Sequence, residues 1–136
     1  MPKEIFVDSS AWIAVSDKND NWHAAAAKNL PRVLRDYQLL VTTNLIVAET
    51  HIALRQRVGF IGAIAFLAKI RTGGRLVRVF SSDELEIQAE AILKQYDDQD
   101  FSYTDAVSFA LMKQRKITDV FTYDHHFRVM GFRLVG

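Results

Sequence analysis

No cysteine occurs in the 136 residues, which excludes disulfide staples, thiolate metal centres and cysteine nucleophiles together. Long apolar stretches are missing too. The longest uninterrupted one, residues 58–68, has 11 residues, well short of the ~20 that span a bilayer. Lys3, Glu4 and Asp8 interrupt the apolar start, so no secretory leader is expected and the chain reads as cytoplasmic. Net charge is almost absent, at +1. What is present is an ordinary globular mix, 49% hydrophobic and 24% charged, which excludes a disordered chain, a collagen-like chain and a coiled coil. A single domain over residues 1–136, held by its own core, is the expectation.

The small net charge conceals a division along the chain. Residues 28–78 carry nine basic side chains against two acids, Asp36 and Glu49. Residues 83–105 carry eight acids against Lys94 alone. Two solvated faces that attract each other in the fold would account for this. So would a basic surface for a polyanion beside an acidic region that cannot itself face one.

Strand-like and helix-like segments alternate. Residues 4–7 form a short β-favouring run that ends at Asp8. Ser9 and Ser10 can cap a helix to residue 15, and residues 21–37 read as a helix that Pro31 breaks or kinks. A second strand covers 39–42, Thr43 or Asn44 caps a helix to 57, and Gly59 opens another to 70. After the Gly73-Gly74 turn comes a third strand, 76–80. Ser81 with Glu84 suggests a capping box for a helix reaching Tyr96, and Ser102 caps a helix over 103–115. Residues 120–122 make a fourth strand and 132–135 a fifth at the edge. Helices between strands require crossovers, so the expected fold is α/β: a three-layer α/β/α domain with a small, mainly parallel sheet of four to five strands.

Four acids stand in unusual places. Asp8 closes the first strand and Asp124 lies two residues past the fourth, at the strand ends where such sheets bind ligands. Glu49 shares a helix face with Leu45, Ile52 and Ala53, and Asp105 with Phe101 and Phe109, so both are expected to point inward. Each also has an ordinary reading. Asp8 can cap a helix, Asp105 can complete a capping box with Ser102, Glu49 can pair with Arg55 or Arg57, and Asp124 can serve a turn. Convergence argues against four separate explanations, because in a small parallel sheet all four can reach one pocket. Carboxylates that close repel one another unless a cation sits among them. Oxygen ligands suit a hard ion, Mg²⁺ or Mn²⁺. Such an ion can hold a phosphate, activate water and neutralise a leaving oxygen, as phosphodiester hydrolysis requires.

At these residues the chain resembles the PIN-domain ribonucleases and, among them, the VapC-type toxins of toxin–antitoxin pairs. The resemblance rests on Val7-Asp8-Ser9-Ser10, the run from Thr42 to Glu49, Ser102-Tyr103-Thr104-Asp105-Ala106, and Thr122-Tyr123-Asp124-His125-His126-Phe127. It implies an endoribonuclease dependent on Mg²⁺ or Mn²⁺, with Asp8, Glu49, Asp105 and Asp124 as both catalytic and metal-binding residues. Ser9, Thr104 and Thr122 match hydroxyl positions beside the metal, where they would orient the carboxylates or the water. It further implies a homodimer and inhibition by a small antitoxin protein. RNA affinity is expected from the basic set, with Arg55, Arg57, Arg71, Arg75 and Arg128 as contacts.

Other readings compete. A haloacid-dehalogenase-type phosphatase needs a second aspartate where Ser10 stands, and a receiver domain needs one where Phe80-Ser81-Ser82 follows the third strand. A flap-type nuclease generally needs a larger chain. A catalytically silent PIN-fold module that binds RNA or a protein partner would share the fold without the chemistry. His125 and His126 read as loop histidines beside Asp124, and His51 as facing away from Glu49. Trp12 and Trp22 read as core or interface anchors, ahead of base stacking. Residues 58–68 read as buried core, ahead of a dimer interface or antitoxin groove.

Overall fold

Period-two alternation builds the sheet. In β1 (Glu4–Val7) Ile5 and Val7 join one core cluster and Phe6 joins another. The same division recurs in β2 (Leu39–Thr43), with Leu40 opposite in sense to Val41, and in β4 (Asp119–Phe121), with Phe121 opposite to Val120. The structure, a computed structural model, describes residues 3–136. With β3 (Leu76–Val79) and β5 (Arg133–Val135), the strands form one five-stranded sheet in the order β3-β2-β1-β4-β5. Every neighbouring pair is parallel.

Helices fill both faces. α1 (Ser9–Ser16) and α2 (His23–Asp36) cover the face carrying Ile5, Val7, Leu40 and Phe121. α5 (Asp83–Gln95), α6 (Tyr103–Arg115) and the one-turn α7 (His126–Val129) cover the face carrying Phe6, Val41 and Val120. α3 (Asn44–Arg57) and α4 (Phe60–Thr72) pack together through Val47, Leu54, Ala63, Phe66 and Ile70. Trp12 lies where the three clusters meet. The three-layer parallel fold expected from the sequence is the one observed. Among the described residues, no helix is long and apolar enough to cross a membrane.

Three local expectations are corrected. α2 begins at His23 and continues through Pro31 to Asp36 without breaking. Both Pro31 and Ala27, whose carbonyl the proline cannot serve, are exposed, so the lost helix bond falls on the solvent side. The cap of α5 is Ser82, which accepts from the Leu85 N–H, and no box forms at Ser81 and Glu84. Ser81 instead donates its hydroxyl to Glu86 and its N–H to Asn44 Oδ1. Residues 58–68 are only partly core. Ala63 and Phe66 are buried, whereas Val58, Phe60, Ile61 and Ile64 are exposed, Ile61 by 83%. Gly59, at φ 107°, makes the left-handed link that turns α3 into α4.

Candidate active site

The chain leaves β1 towards β2 and leaves β4 towards β5, so its path reverses between the adjacent strands β1 and β4. A crevice at the carboxyl ends of such strands is where this architecture accepts ligands. Asp8 follows β1 directly, and its N–H donates to the Phe121 carbonyl across the crevice, 3.1 Å away. Thr122 and Asp124 follow β4 on the other wall. α6 brings in Asp105, and α3 brings in Glu49 from the end of β2.

Asp8 is buried, and its Oδ2 accepts from Ser10 Oγ and Thr122 Oγ1, each at 2.9 Å. Thr122 Oγ1 also accepts from the Asp124 N–H at 2.9 Å, so one hydroxyl ties two of the acids. Asp105 Oδ2 accepts from the Ser102 N–H at 3.0 Å, while Ser102 Oγ accepts from the Asp105 N–H. The capping box read from the sequence is therefore present, and it occupies one carboxylate oxygen. Asp124 Oδ1 accepts from the His126 N–H at 3.0 Å, and Ser9 Oγ donates to Glu49 Oε1.

A common arrangement emerges. In each of the four acids at least one oxygen is held by a donor of the chain itself, and Asp8 also feels the Ser9 main-chain N–H. Among the described residues none of the four pairs with a lysine or arginine. Several other acids with little exposed side chain are answered by guanidinium groups: Glu4 by Arg115, Asp17 and Asp20 by Arg57, Asp119 by Arg133.

The structure adds His126, which sequence reasoning set aside as a loop residue. Its Nδ1 is buried, has no hydrogen-bond partner, and lies 3.4 Å from Asp105 Oδ2 and 3.3 Å from Asp124 Oδ1. Ligand atoms of Asp105, Asp124 and His126 fall within 4.8 Å of one another. The available signal was the Asp-x-His spacing just after a strand, where an Asx turn brings the third residue back over the first. Ser10 was also missed: besides holding Asp8, its Oγ accepts from the Tyr123 N–H at 2.9 Å.

Burial pushes the Asp8 carboxyl up to about 6; the Ser10 and Thr122 hydroxyls oppose the rise and the Asp105 charge adds to it. Asp105 is likewise raised, chiefly by burial and then by the Asp124 charge, against the Ser102 N–H and His126. Asp8, Asp105 and Asp124 thus form a chain of mutually felt charges. The compact group is Asp105, Asp124 and His126; Asp8 joins it through Thr122, and Glu49 is connected only through Ser9, the neighbour of Asp8. The inward stripe assigned to it is corrected: Glu49 and Ile52 are exposed, and the buried face of α3 is Ile46, Val47, Thr50 and Leu54.

The remaining expected residues are placed as follows. Thr104 is half-buried beside Asp105 in the first turn of α6, and its carbonyl accepts from Ser108 Oγ. Arg57 reaches Asp20 Oδ1 at 2.9 Å, and Arg75 donates to the carbonyls of Leu34 and Tyr37. Arg55 lies over the Phe60 ring, and Arg71 and Arg128 are exposed.

Comparison with known proteins bears on this arrangement. A family model described as PIN domain matches residues 5–133. The chain is 33% identical over 132 residues to the 23S rRNA-specific endonuclease VapC20 of Mycobacterium tuberculosis, covering 94% of this chain and 95% of that one. Ribonuclease VapC26 of the same organism is 27% identical over 127 residues, covering 93% and 91%. The crystal structure of Mycobacterium tuberculosis VapC20, described as a sarcin-ricin loop cleaving toxin, superposes with a TM-score of 0.86 at 30% identity, over 94% of this chain and 95% of that one.

Proposed function

The chain belongs to the PIN-domain family and stands close to its VapC-type members, and from that premise we propose that it is a metal-dependent endoribonuclease, the toxin of a type II toxin–antitoxin pair. One observation carries the reading: at one sheet end Asp8 is tied to Asp124 through Thr122, Asp105 and Asp124 converge on an unpartnered His126 Nδ1, and among the described residues no lysine or arginine answers these acids. The donor set fits a divalent ion. Three carboxylate and imidazole atoms lie within 4.8 Å of one another, one of them the orphaned His126 Nδ1. Asp8, Glu49, Asp105 and Asp124 would hold one or two Mg²⁺ or Mn²⁺ ions. An ion bound there supplies the charge that activates water and offsets the extra negative charge of an in-line phosphodiester displacement.

The side chains of the protein prepare that chemistry. Ser10 and Thr122 fix Asp8 by Oδ2. Ser9 orients Glu49, and the Ser102 N–H orients Asp105. Preorganised carboxylates need not be gathered at the moment of reaction, which is the purpose of such hydroxyl supports. Arg128, exposed, without an ion pair among the described residues and two residues past His126, is the best placed of the expected arginines to meet phosphate, whereas Arg71 lies in the last turn of α4 beside the start of β3, at the other end of the sheet. Exposed Phe60, Ile61 and Ile64 support the two protein contacts included in this reading, a second copy of the chain and a small antitoxin. Action on RNA in the cytoplasm completes it.

The test is purified protein on total RNA, and on 23S rRNA because VapC20 is named for it, with Mg²⁺, Mn²⁺ or chelator. Cleavage is expected with metal and not with chelator, and Asp8→Asn is expected to abolish it. Equal cleavage by Asp8→Asn, or by parent protein in chelator, refutes the assignment.

A further inference from the structure

The loop between α1 and α2 holds a large aromatic surface out towards solvent beside the acids. Trp22 is 52% exposed, and its indole stacks on the Tyr123 ring with centroids 5.1 Å apart and planes 9° from parallel. An exposed tryptophan held in one orientation is a poor use of apolar surface unless something covers it. The loop is firmly fixed. Asp20 Oδ2 accepts from the Trp22 N–H at 3.0 Å, Asp17 Oδ1 accepts from the Asn19 N–H at 3.0 Å, and Arg57 grips both acids from α3. His23 Nδ1 sits 2.7 Å from the Ala14 carbonyl, fixing the start of α2.

Tyr123 is equally fixed, and through the site itself. Its N–H donates to Ser10 Oγ, which donates in turn to Asp8 Oδ2. Its neighbours along the chain are Thr122 and Asp124. Its ring meets Phe121 edge-on, centroids 6.0 Å apart, and Asn29 Nδ2 lies 3.5 Å from its hydroxyl. The aromatic pair is therefore tied to the Asp8 carboxylate through a short run of hydrogen bonds and ring contacts. Arg57 pairs with both acids of the loop and Lys18 balances the second, so a phosphate backbone passing over Trp22 meets no net negative charge from the loop itself.

We propose that Trp22, backed by Tyr123, is a shelf on which an unpaired nucleobase of the RNA stacks, so that substrates presenting a base in a loop or single strand are preferred to duplex. The proposal rests on the ribonuclease reading and deepens it. Every base has a π-face, so a shelf of this kind selects for unstacked geometry rather than for sequence. Its place on the Tyr123–Ser10–Asp8 path favours RNA over a protein anchor.

The test uses the full chain in chelator, so that nothing is cut, titrated with a short mixed-sequence single-stranded oligoribonucleotide and with its duplex. Of the two tryptophans, Trp12 is packed against the core and Trp22 is the one open to solvent. Single strand is expected to quench the Trp22 emission and shield it from acrylamide, duplex to do neither, and Trp22→Phe to assign the signal by removing it. Binding is expected to weaken roughly 5- to 150-fold in Trp22→Ala, the range of one base–aromatic stack, and to be largely retained in Trp22→Phe. With Mg²⁺, KM should rise in Trp22→Ala more than kcat falls. Unchanged single-strand affinity in Trp22→Ala overturns the proposal, as does an emission that ignores RNA. So does a variant that loses only a protein partner, which would make Trp22 an anchor for protein. If single strand binds and quenches Trp22 but parent protein cuts no RNA, the shelf stands and the ribonuclease reading falls.

Discussion

Replacing Asp8 by asparagine should make the metal-free protein more stable while ending its activity. The carboxyl of Asp8 is moved from an ordinary 3.8 to about 6, mainly because it is buried. At about 1.36 kcal/mol per tenfold change in proton affinity, the ionised form is disfavoured in the fold by about 3 kcal/mol. The sign follows from where the proton is held. Unfolded, Asp8 releases it near pH 4; folded, it keeps it until about pH 6, so the folded state binds it more tightly. The contribution of Asp8 to stability is therefore greatest below about pH 4, falls as pH rises towards 6, and stays at the lower level above that. Asparagine carries no charge at any of these values, and its carbonyl can accept from Ser10 and Thr122 where Oδ2 now does. In chelator at pH 7.5, Asp8→Asn should gain about 2–3 kcal/mol, and at roughly 3–5 °C per kcal/mol for a domain of this size it should melt about 10 °C higher. The advantage should disappear at pH 4. Adding Mn²⁺ should raise the melting temperature of the parent and narrow the gap, since a ligand that binds only the folded state stabilises it by mass action. A variant that melts at or below the parent at pH 7.5, or a difference that ignores pH, would refute the reasoning about burial.

Two further substitutions separate supports from surface. Thr122→Val removes a donor from Asp8 and strands the Asp124 N–H, so it should cost about 1–3 kcal/mol in urea denaturation and lower the cleavage rate at least about tenfold, with Thr122→Ser restoring both. Phe66→Ala should cost about 3–5 kcal/mol, whereas Ile61→Ser on the open side of α4 should stay within about 0.5 kcal/mol; equal denaturation midpoints for the two would contradict the division of that helix.

Much of the fold was legible because strands and helices here obey simple periods. The run 4–7 and the Ser102–Asp105 box each carry their own local signal, and each appears as read. Misreadings arose where several patterns fit. Apolar residues line most of α3, so Leu45, Ile52 and Ala53 made as convincing a stripe as Ile46, Thr50 and Leu54, and only the packing against α1 and α4 chose between them. Residues 58–68 are apolar on all sides, and composition alone cannot say which side a neighbour covers. Ser81 and Ser82 offered two caps one residue apart. Within the site, the strand-end acids were visible from chain order, but His126 gains its meaning from Asp105 on another helix and Ser10 from Tyr123, 113 positions distant. Arg57 shows the converse: a cation read as a substrate contact is engaged by loop acids 37 positions earlier.

The opposite situations of Asp8 and Asp105 set an order for decay. Asp105 also completes the Ser102 capping box of α6, the most deeply buried helix, so most replacements there would fray the interior along with the chemistry. Asp8 is a burden on the fold whenever no cation relieves it. A lineage released from any need to cut RNA would gain robustness by discarding Asp8 first and would retain Asp105 as an architectural relic. Silent descendants should therefore be recognisable by a neutral residue at the end of the first strand above an intact helix cap.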